Sequence, residues 1–329
     1  MQFPKITIIT PSFNQGEYIE QTILSVLNQN YPHLEYIVID GGSTDDSAAV
    51  IRKYQSQLAY WTSERDGGQS EAINKGLRLA TGEIIGWLCS DDLYLPETLH
   101  KVARAFSENP DVDMIHGASI LFGNGNKEVV KQADETDLSL RYFSIIPFPQ
   151  PSSFFRKKVI SEQGLLREDL HFAMDYDLLV RTALHYRIVP VNEILSKYRL
   201  HKKSKTMTQM KSFSEEWILV FSKFIRSVNG ADNYIKLLGN IDLYRHGNDK
   251  YQHERAFTDY ELKKIILYYL DMMAHLNYQF GNKHMTVEIV KCARQIDKTF
   301  YTERKLHSIL FRANYIPSGL IKLMRRLKN

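Results

Sequence analysis

The first 90 residues alternate between short β-branched runs and segments with helical periodicity. KITIIT (5–10) and EYIVID (35–40) are apolar runs of strand length, and each is followed by a stretch with apolar residues at helical spacing. A short strand near LAYWTSE and the run EIIGWLC (83–89) extend the same pattern. Because parallel strands need crossover connections, which are usually helices, this alternation predicts a mostly parallel, Rossmann-like sheet flanked by helices.

Polar segments follow three of the predicted strands. Residues 11–14 follow the first strand, residues 40–45 the second and residues 90–92 the strand that contains EIIGWLC. In open α/β sheets, ligands bind outside the carboxyl ends of the strands. The three loops are therefore expected to meet at one edge of the sheet and to form a binding site there.

The pattern changes along the chain. DMIHGASILF and KEVVK flank the turn GNGN and predict an antiparallel pair of strands. After about residue 205 the chain consists of helical segments such as FSEEWILVFSKFI and YELKKIILYYLDMM. A length of 329 residues exceeds what one core usually holds. We therefore predict an α/β domain over residues 1–205 and a helical region over residues 206–329.

Composition and motifs exclude several classes of protein. Two cysteines give neither a disulfide framework nor a CxxC zinc motif, which favours a reducing, cytoplasmic setting. No signal peptide is expected at the amino terminus, and no apolar run reaches the length of a membrane span. No GxGxxG follows the first strand, as a dinucleotide-binding dehydrogenase would require. Basic residues concentrate at the carboxyl terminus rather than across a face, which argues against nucleic-acid binding.

Four segments together resemble the family 2 glycosyltransferases of the GT-A fold. They are ITIITPSFNQGEYIEQTILSVLNQNYP, EYIVIDGGSTDDS, DGGQSEAINKGLRLATGEIIGWLCSDDLYLP and MDYDLLVR, in the order and approximate spacing of that family. The resemblance covers roughly the first 200 residues. It implies an inverting transfer of sugar from a UDP-sugar to a saccharide or lipid-linked glycan acceptor, with Mn²⁺ or Mg²⁺, as in the synthesis of bacterial surface polysaccharides.

The resemblance assigns a metal site to the SDD segment. Asp91 and Asp92 match the family's acidic metal motif, with Asp92 as the direct ligand and Asp91 nearer the ribose or bound through water. Carboxylates suit a divalent cation that offsets the charge developing on a diphosphate leaving group. His201, which follows the YR of a predicted strand, is a further candidate ligand. The alternatives are a helix cap for the aspartates and a surface position for the histidine.

The resemblance also assigns nucleotide-binding loops. The residues implied in binding the donor are Pro11, Ser12, Asn14, Glu17, Asp40, Gly41, Gly67, Lys75 and Asp91. An acid at a strand end can accept a base N–H, and glycines let the backbone approach a ligand. Gly67 precedes a helix start, where backbone amides favour anions. Turns and caps explain the same residue types equally well, and Lys75 is also compatible with a solvated surface charge.

Asp175 occupies the position of the family's general base. In that family a carboxylate takes the proton from the acceptor hydroxyl, and the usual glutamate before it is replaced here by Met174. Asp177 is a competing carboxylate, and Asp175 is also a plausible helix cap. The replacement raises a second hypothesis, a catalytically inactive nucleotide-sugar-binding protein of the same fold.

The acceptor side and the tail carry weaker signals. Residues 149–153 are expected to border the acceptor, with Trp87 or Tyr94 available to stack on a sugar unless they lie in the core. Cys89 is expected to pack as a small apolar side chain rather than act as a nucleophile. Residues 305–329 hold six Lys or Arg and no acid, and LIKLMRRLK fits an amphipathic helix on an anionic membrane or a packed terminal helix.

Overall fold

The structure is a computed structural model that describes residues 3–123, 127–201 and 210–316. Two compact units are present: one comprises the chain up to Glu135 together with Pro147–Lys202, and the other comprises Thr136–Ile146 together with the chain from Lys203. The short segment Thr136–Ile146 thus belongs with the carboxyl-terminal unit, although it lies inside the first domain predicted from the sequence.

Four parallel strands form the first half of the sheet, in the order β3, β2, β1, β4. Their bounds are β1 (Ile6–Ser12), β2 (Leu34–Asp40), β3 (Tyr60–Ser63) and β4 (Ile84–Trp87). Every residue of β1 is buried, because β1 lies between β2 and β4. The predicted parallel arrangement of the first strands is confirmed, and it brings the loops after β1, β2 and β4 to one edge.

Helices cross between these strands. They are α1 (Ile19–Leu27), α2 (Ser47–Lys53) and α3 (Gln69–Leu79). The apolar face of α1 buries Ile19, Ile23 and Val26, as the helical spacing predicted. Gly76 lets α3 approach the sheet, because a Cβ at this position would lie 2.5 Å from Ile9 Cγ2.

The second half of the sheet is mixed. Its strands are β5 (Leu93–Tyr94), β6 (Met114–Phe122), β7 (Val129–Lys131), β8 (Ser153–Arg156) and β9 (Ile188–Arg199). Antiparallel β8 joins β4 to β6, and β9 runs parallel to β6 and antiparallel to β5. The antiparallel pair β6–β7 is the one that the sequence predicted. Among the described residues the sheet has nine strands.

Four helices occupy the chain between β5 and residue 202. They are α4 (Thr98–Glu108), α5 (Leu138–Arg141), α6 (Lys157–Gln163) and α7 (Met174–His185). Of these, α5 belongs to the carboxyl-terminal unit. The core of the first unit includes Ile6, Ile8, Ile23 and Val38. Full burial of one such side chain stabilises the fold by about 1.5–3 kcal/mol.

The carboxyl-terminal unit is helical. Its remaining helices are α8 (Met210–Ser227), α9 (Asp232–Asn240), α10 (Asp259–Phe280), α11 (Lys283–Ile296), α12 (Lys298–Glu303) and α13 (Leu306–Tyr315). The longest, α10, begins at a capping box formed by Thr258 and Glu261 and ends at Gly281, whose φ of 75° suits glycine. Tyr269 of α10 stacks on Phe221 of α8 in the core. In the described parts of the chain, no helix combines the length and apolarity that crossing a bilayer requires.

Candidate active site

The SDD segment forms a tight turn directly after β4. Trp87 ends the strand, and the Asp92 amide donates a 3.0 Å hydrogen bond to the Cys89 carbonyl. Thr22 of α1 donates through Oγ1 to the Asp92 carbonyl at 2.8 Å. Neither aspartate caps a helix, since α4 begins only after Glu97. The turn therefore presents two adjacent carboxylates at the carboxyl end of the sheet.

Asp92 is buried with little compensation for its charge. Only 2% of the residue is exposed, and its Oδ1 accepts a 2.8 Å hydrogen bond from the Arg199 amide. Within the described chain no hydrogen bond reaches its Oδ2. Burial raises the pKa of Asp92 well above its usual value, and the neighbouring charge of Asp91 raises it further. Ionising both carboxylates is costly here unless a cation lies beside them.

His201 meets this turn from the end of β9. Its Nε2 lies 2.9 Å from Asp91 Oδ2, and its ring centroid lies 4.8 Å from that of Tyr18. The histidine is 7% exposed, so the alternative of a surface position is wrong. The structure thus places His201, a predicted metal ligand, against Asp91, which adjoins the other predicted ligand, Asp92.

Arg199 is a site residue that the sequence analysis did not single out. Its Nε donates to the Asp91 carbonyl and its Nη2 to Gln21 Oε1, each at 2.8 Å. The guanidinium lies over the rings of Tyr18 and Phe122, at 4.9 and 4.4 Å from their centroids. The sequence feature that could have identified Arg199 is the YR pair before His201, which we interpreted only as the end of a strand.

The side chains at the turn fit a divalent cation. One ligand atom each from Cys89, Asp91 and Asp92 lies within 4.8 Å of the others. Carboxylate oxygens are the ligands that Mg²⁺ and Mn²⁺ prefer. Asp92 is 2% exposed and, among the described residues, accepts a side-chain hydrogen bond only at Oδ1, from the Arg199 amide, so a cation bound at Oδ2 would offset its charge.

Asp40 lies at the end of β2 and is fully buried. Its carboxylate accepts hydrogen bonds from the Ser43 amide (2.9 Å), Ser43 Oγ (2.6 Å) and Ser63 Oγ (2.7 Å). These bonds hold the loops after β2 and β3 together. In this structure Asp40 orders the rim.

Asp66, directly before Gly67, is a second carboxylate at this rim. A Cβ on Gly41 would lie 2.8 Å from Asp66 Oδ2, so only glycine leaves room for the carboxyl group. Asp66 Oδ1 accepts a 2.9 Å hydrogen bond from the Gly68 amide, and burial raises the pKa of Asp66. The DGG segment was assigned to the donor site through Gly67 and its helix start, without a separate role for the Asp66 carboxylate.

The loop after β1 is tied to the loop after β2 through Asn14. The Asn14 amide donates to Ser43 Oγ at 2.7 Å, and Asn14 Oδ1 accepts from the Thr44 amide at 2.9 Å. Pro11 and Ser12 are buried at the end of β1, and Ser12 Oγ has no hydrogen-bond partner among the described residues. Glu17 is exposed just before α1. A buried hydroxyl without a partner is available to a ligand at this edge.

Gly67 and Lys75 both contact Glu71. The Gly67 amide donates to Glu71 Oε2 at 2.7 Å, and Lys75 Nζ lies 3.2 Å from Glu71 Oε1. A nucleotide sugar that bound the Gly67 amide and the Lys75 ammonium would have to compete with Glu71. The structure therefore places Lys75 in a partly exposed ion pair on α3.

Two carboxylates near the start of α7 have different surroundings. Asp175 is half-buried, and its Oδ1 accepts a 2.9 Å hydrogen bond from the Tyr176 amide. Asp177 is fully buried in an ion pair with Arg181, 2.8 Å from Oδ2 to Nε. Arg181 also donates to the carbonyls of residues 163–165. Asp177 is thus held in a structural ion pair, which leaves Asp175 as the candidate base.

The amino-terminal half of α3 connects the metal turn with the loop that leads to α7. Gln69 Nε2 lies 3.2 Å from Cys89 Sγ, and Ser70 Oγ donates to the Leu170 carbonyl at 2.6 Å. A Cβ on Gly68 would lie 3.4 Å from His171 Nδ1. Helix α3 therefore contacts both the segment before Asp91 and the segment before Asp175.

Two of the residues considered for the acceptor side, Trp87 and Tyr94, lie in the core. Trp87 and Tyr94 are each 4% exposed, so they belong to the core and do not present a face to a sugar. Gln150, within the predicted acceptor segment, donates to the Trp87 carbonyl at 3.1 Å. This segment therefore lies beside the end of β4.

A mixed sheet with polar loops and an acidic pair at its strand ends is the arrangement of GT-A type glycosyltransferases. The chain belongs to glycosyltransferase family 2: residues 7–164 match that family's model, and a curated glycosyltransferase that is 31% identical is covered over three quarters of its length. This relative, an uncharacterized glycosyltransferase of Mycobacterium tuberculosis, is 31% identical over 204 residues, covering 59% of this chain and 75% of that protein. Another, from Rickettsia typhi, is 27% identical over 286 residues, covering 80% and 86%.

Solved structures share the fold at low sequence identity. S. aureus TarS (residues 1–349), in complex with UDP, superposes with a TM-score of 0.62 at 16% identity, covering 95% of this chain and 93% of that one. The mannosyltransferase PcManGT from Pyrobaculum calidifontis, in complex with GDP-Man and Mn²⁺, has a TM-score of 0.57 at 18% identity, covering 95% and 87%. These similarities establish the GT-A fold, including the helical carboxyl-terminal region.

Proposed function

We propose that the protein is an inverting, metal-dependent glycosyltransferase that uses a UDP-sugar, with a saccharide or lipid-linked glycan as acceptor. One observation carries the proposal: the Asp91–Asp92 turn, with His201 2.9 Å from Asp91, follows β4 at the same edge of the parallel sheet at which β2 ends in Asp40. A diphosphate leaving group needs positive charge at its oxygens, and this edge offers carboxylates and an imidazole that suit a cation.

The proposed chemistry assigns one step to each part of the site. Asp175 takes the proton from the acceptor hydroxyl as that oxygen attacks the anomeric carbon, from the face opposite the diphosphate. The bond from the anomeric carbon to the diphosphate breaks, and the electron pair leaves with the diphosphate. Asp92, Asp91 and His201 would hold a divalent cation, which would supply charge stabilisation for that leaving group. Arg199 holds the Asp91–Asp92 turn in place through the Asp91 carbonyl and the Asp92 carboxylate.

Donor choice is tested with a panel of nucleotide sugars. TarS has been solved with UDP and with UDP-GlcNAc, whereas PcManGT has been solved with GDP-Man. We expect Mn²⁺-dependent release of UDP from at least one UDP-sugar, and no release of GDP from GDP-sugars. Release of GDP alone would overturn the assignment of the nucleotide.

A second candidate, an inactive nucleotide-sugar-binding protein, is favoured by one observation. Met174 replaces the glutamate that precedes the base in the family, and this methionine is 6% exposed. This candidate predicts that the wild type binds UDP but turns over no donor in the panel. The enzyme predicts turnover that Asp175→Asn abolishes while UDP binding persists.

We also propose peripheral binding to an anionic membrane through the carboxyl-terminal tail, on the cytoplasmic side. The LIKLMRRLK segment lies outside the described residues. Just before it, α13 exposes two aromatic rings 4.9 Å apart, Phe311 and Tyr315, at 61% and 72%. Each basic residue near an anionic surface contributes about 1 kcal/mol.

The membrane proposal is tested on the full-length chain. Ending the chain at Arg304 would remove Leu306 and Ile309, which are buried in the second unit, so substitutions are the better comparison. The four basic tail residues to be changed to Gln are Lys322, Arg325, Arg326 and Lys328. We expect the variant to lose flotation with anionic liposomes at unchanged activity on a soluble acceptor. Equal flotation of both proteins would refute the proposal.

A further inference from the structure

A thiol lies within the ligand cluster of the proposed metal site. The Sγ of Cys89 and one carboxylate oxygen each of Asp91 and Asp92 lie within 4.8 Å of one another. The hydrogen bond from the Asp92 amide to the Cys89 carbonyl closes the turn between these residues. Sulfur and carboxylate oxygens are therefore close enough to share one ion after small side-chain adjustments, because metal–sulfur and metal–oxygen bonds measure about 2.3 and 2.0–2.2 Å in zinc sites.

The surroundings of the thiol favour this role. Gln69 Nε2, on the first residue of α3, lies 3.2 Å from the sulfur. Asp92 is 2% exposed, and among the described residues nothing donates a hydrogen bond to its Oδ2. A carboxylate in a buried residue with one hydrogen-bonded oxygen is stabilised by a cation at its other oxygen.

The composition of the cluster determines which ions it prefers. Carboxylate oxygens alone suit Mg²⁺ and Mn²⁺, whereas a thiolate ligand shifts the preference to Zn²⁺ and Cd²⁺. His201, 2.9 Å from Asp91, places an imidazole nitrogen at the same turn, and imidazole also suits zinc.

We propose that Cys89 makes this metal site thiophilic, so that Zn²⁺ or Cd²⁺ binds Cys89 Sγ together with Asp91 and Asp92 and displaces Mn²⁺ or Mg²⁺. The inference rests on the proposed metal-dependent function. On binding, the metal–sulfur bond replaces the S–H bond, and the proton leaves to solvent. Zn²⁺ then acts as an inhibitor of the Mn²⁺-supported enzyme.

The first test detects the metal–sulfur bond directly. The full-length protein is titrated with Cd²⁺, and the ultraviolet charge-transfer absorption of a cadmium–thiolate bond is recorded. We expect the band in the wild type and its loss in Cys89→Ser. Cys292→Ser is the matched control and should keep the band, because Cys292 is buried in α11 and burial raises the pKa of its thiol to about 12.

The second test separates this inference from the proposed function. Mn²⁺ binding is followed by electron paramagnetic resonance, and Zn²⁺ is added as competitor. We expect Cys89→Ser to retain Mn²⁺ but to need at least about tenfold more Zn²⁺ for its displacement, since losing one ligand weakens the softer ion more. Cys89→Ala provides a second variant if the serine protein is unstable.

The results of the two tests distinguish the thiophilic site from the proposed metal-dependent function. A wild type that binds Mn²⁺ but shows no cadmium band refutes the thiophilic site and leaves the glycosyltransferase proposal standing. A band that persists in Cys89→Ser, or equal displacement of Mn²⁺ in both proteins, also refutes it. A wild type that binds no Mn²⁺ at all counts against the proposed metal-dependent function itself.

Discussion

His201 Nε2 lies 2.9 Å from Asp91 Oδ2, although 110 residues separate them along the chain. The contact exists because β9 pairs with β5, the strand that begins directly after the SDD turn. An imidazole and a carboxylate at this distance, at the end of a sheet, can bind the same cation. It links the last strand of the first unit to the turn after β4.

We predict that His201→Ala weakens Mn²⁺ binding by about tenfold or more, because groups that bind or orient a metal typically contribute 10–100-fold to affinity. The measurement is a titration of full-length protein with Mn²⁺, followed by electron paramagnetic resonance. His284→Ala, at an exposed position of α11, is the control and should bind Mn²⁺ as the wild type does. Unchanged affinity in His201→Ala would remove this histidine from the proposed site.

The two aspartates of α7 should respond in opposite ways. Asp175→Asn is expected to lower kcat by about 10²–10⁴-fold, the usual contribution of a general base, with little change in Tm. Asp177→Asn leaves Arg181 without its buried partner and should cost about 3–5 kcal/mol of stability. Thermal unfolding and turnover, measured on both variants, distinguish the roles. If Asp177→Asn is inactive yet as stable as the wild type, the assignment is reversed.

Gly41→Ala should weaken UDP binding. The new Cβ would lie 2.8 Å from Asp66 Oδ2, so the carboxyl group and its loop must shift. We expect a loss of about tenfold or more in affinity by calorimetry, equivalent to about 1.4 kcal/mol. Gly239→Ala is the control, since nothing lies within 4 Å of its Cβ position in α9. Wild-type affinity in Gly41→Ala would show that Asp66 and its loop are not part of the nucleotide site.

Glu35 should make stability depend on pH in the acid range. Burial raises its pKa, but hydrogen bonds from Lys5, Thr7 and Thr81 outweigh burial and lower the pKa of Glu35 to about 2, from an ordinary value of 4.5. Because the folded-state pKa lies below the unfolded one, the stabilisation is complete above about pH 4.5 and is lost as the pH falls towards 2.

The comparison protein for this prediction is Glu35→Gln. Its free energy of unfolding, measured with urea between pH 2 and 6, should fall less steeply with acid than that of the wild type. Parallel curves for the two proteins would contradict the pKa shift of Glu35.

Local sequence predicted much of the first unit. The strands and helices up to β4 follow from β-branched runs and apolar periodicity, which depend only on neighbouring residues. The motif segments also located the acidic pair and the YRLH segment correctly at strand ends. The bounds of β9 were harder, because two runs separated in the sequence, RIVPV and EILSKYRLH, form one strand, Ile188–Arg199.

Several site features depended on contacts between distant residues. Asp40 was expected to face a base, but Ser43 and Ser63 surround its carboxylate. The position of the Asp66 carboxylate depends on the space that Gly41 leaves, which the sequence does not show. The segment Thr136–Ile146 was assigned to the first domain, although it packs with the helical unit.

The amino-acid sequence by itself determined the order of the strands and helices in the first unit, the polar loops after the strands and the family to which the chain belongs. These properties are encoded locally, in periodicity and short motifs. Only the tertiary structure decided which carboxylates stay buried among protein donors and which remain available for a cation or a proton. That distinction depends on burial and hydrogen-bond partners contributed by residues tens to more than a hundred positions away.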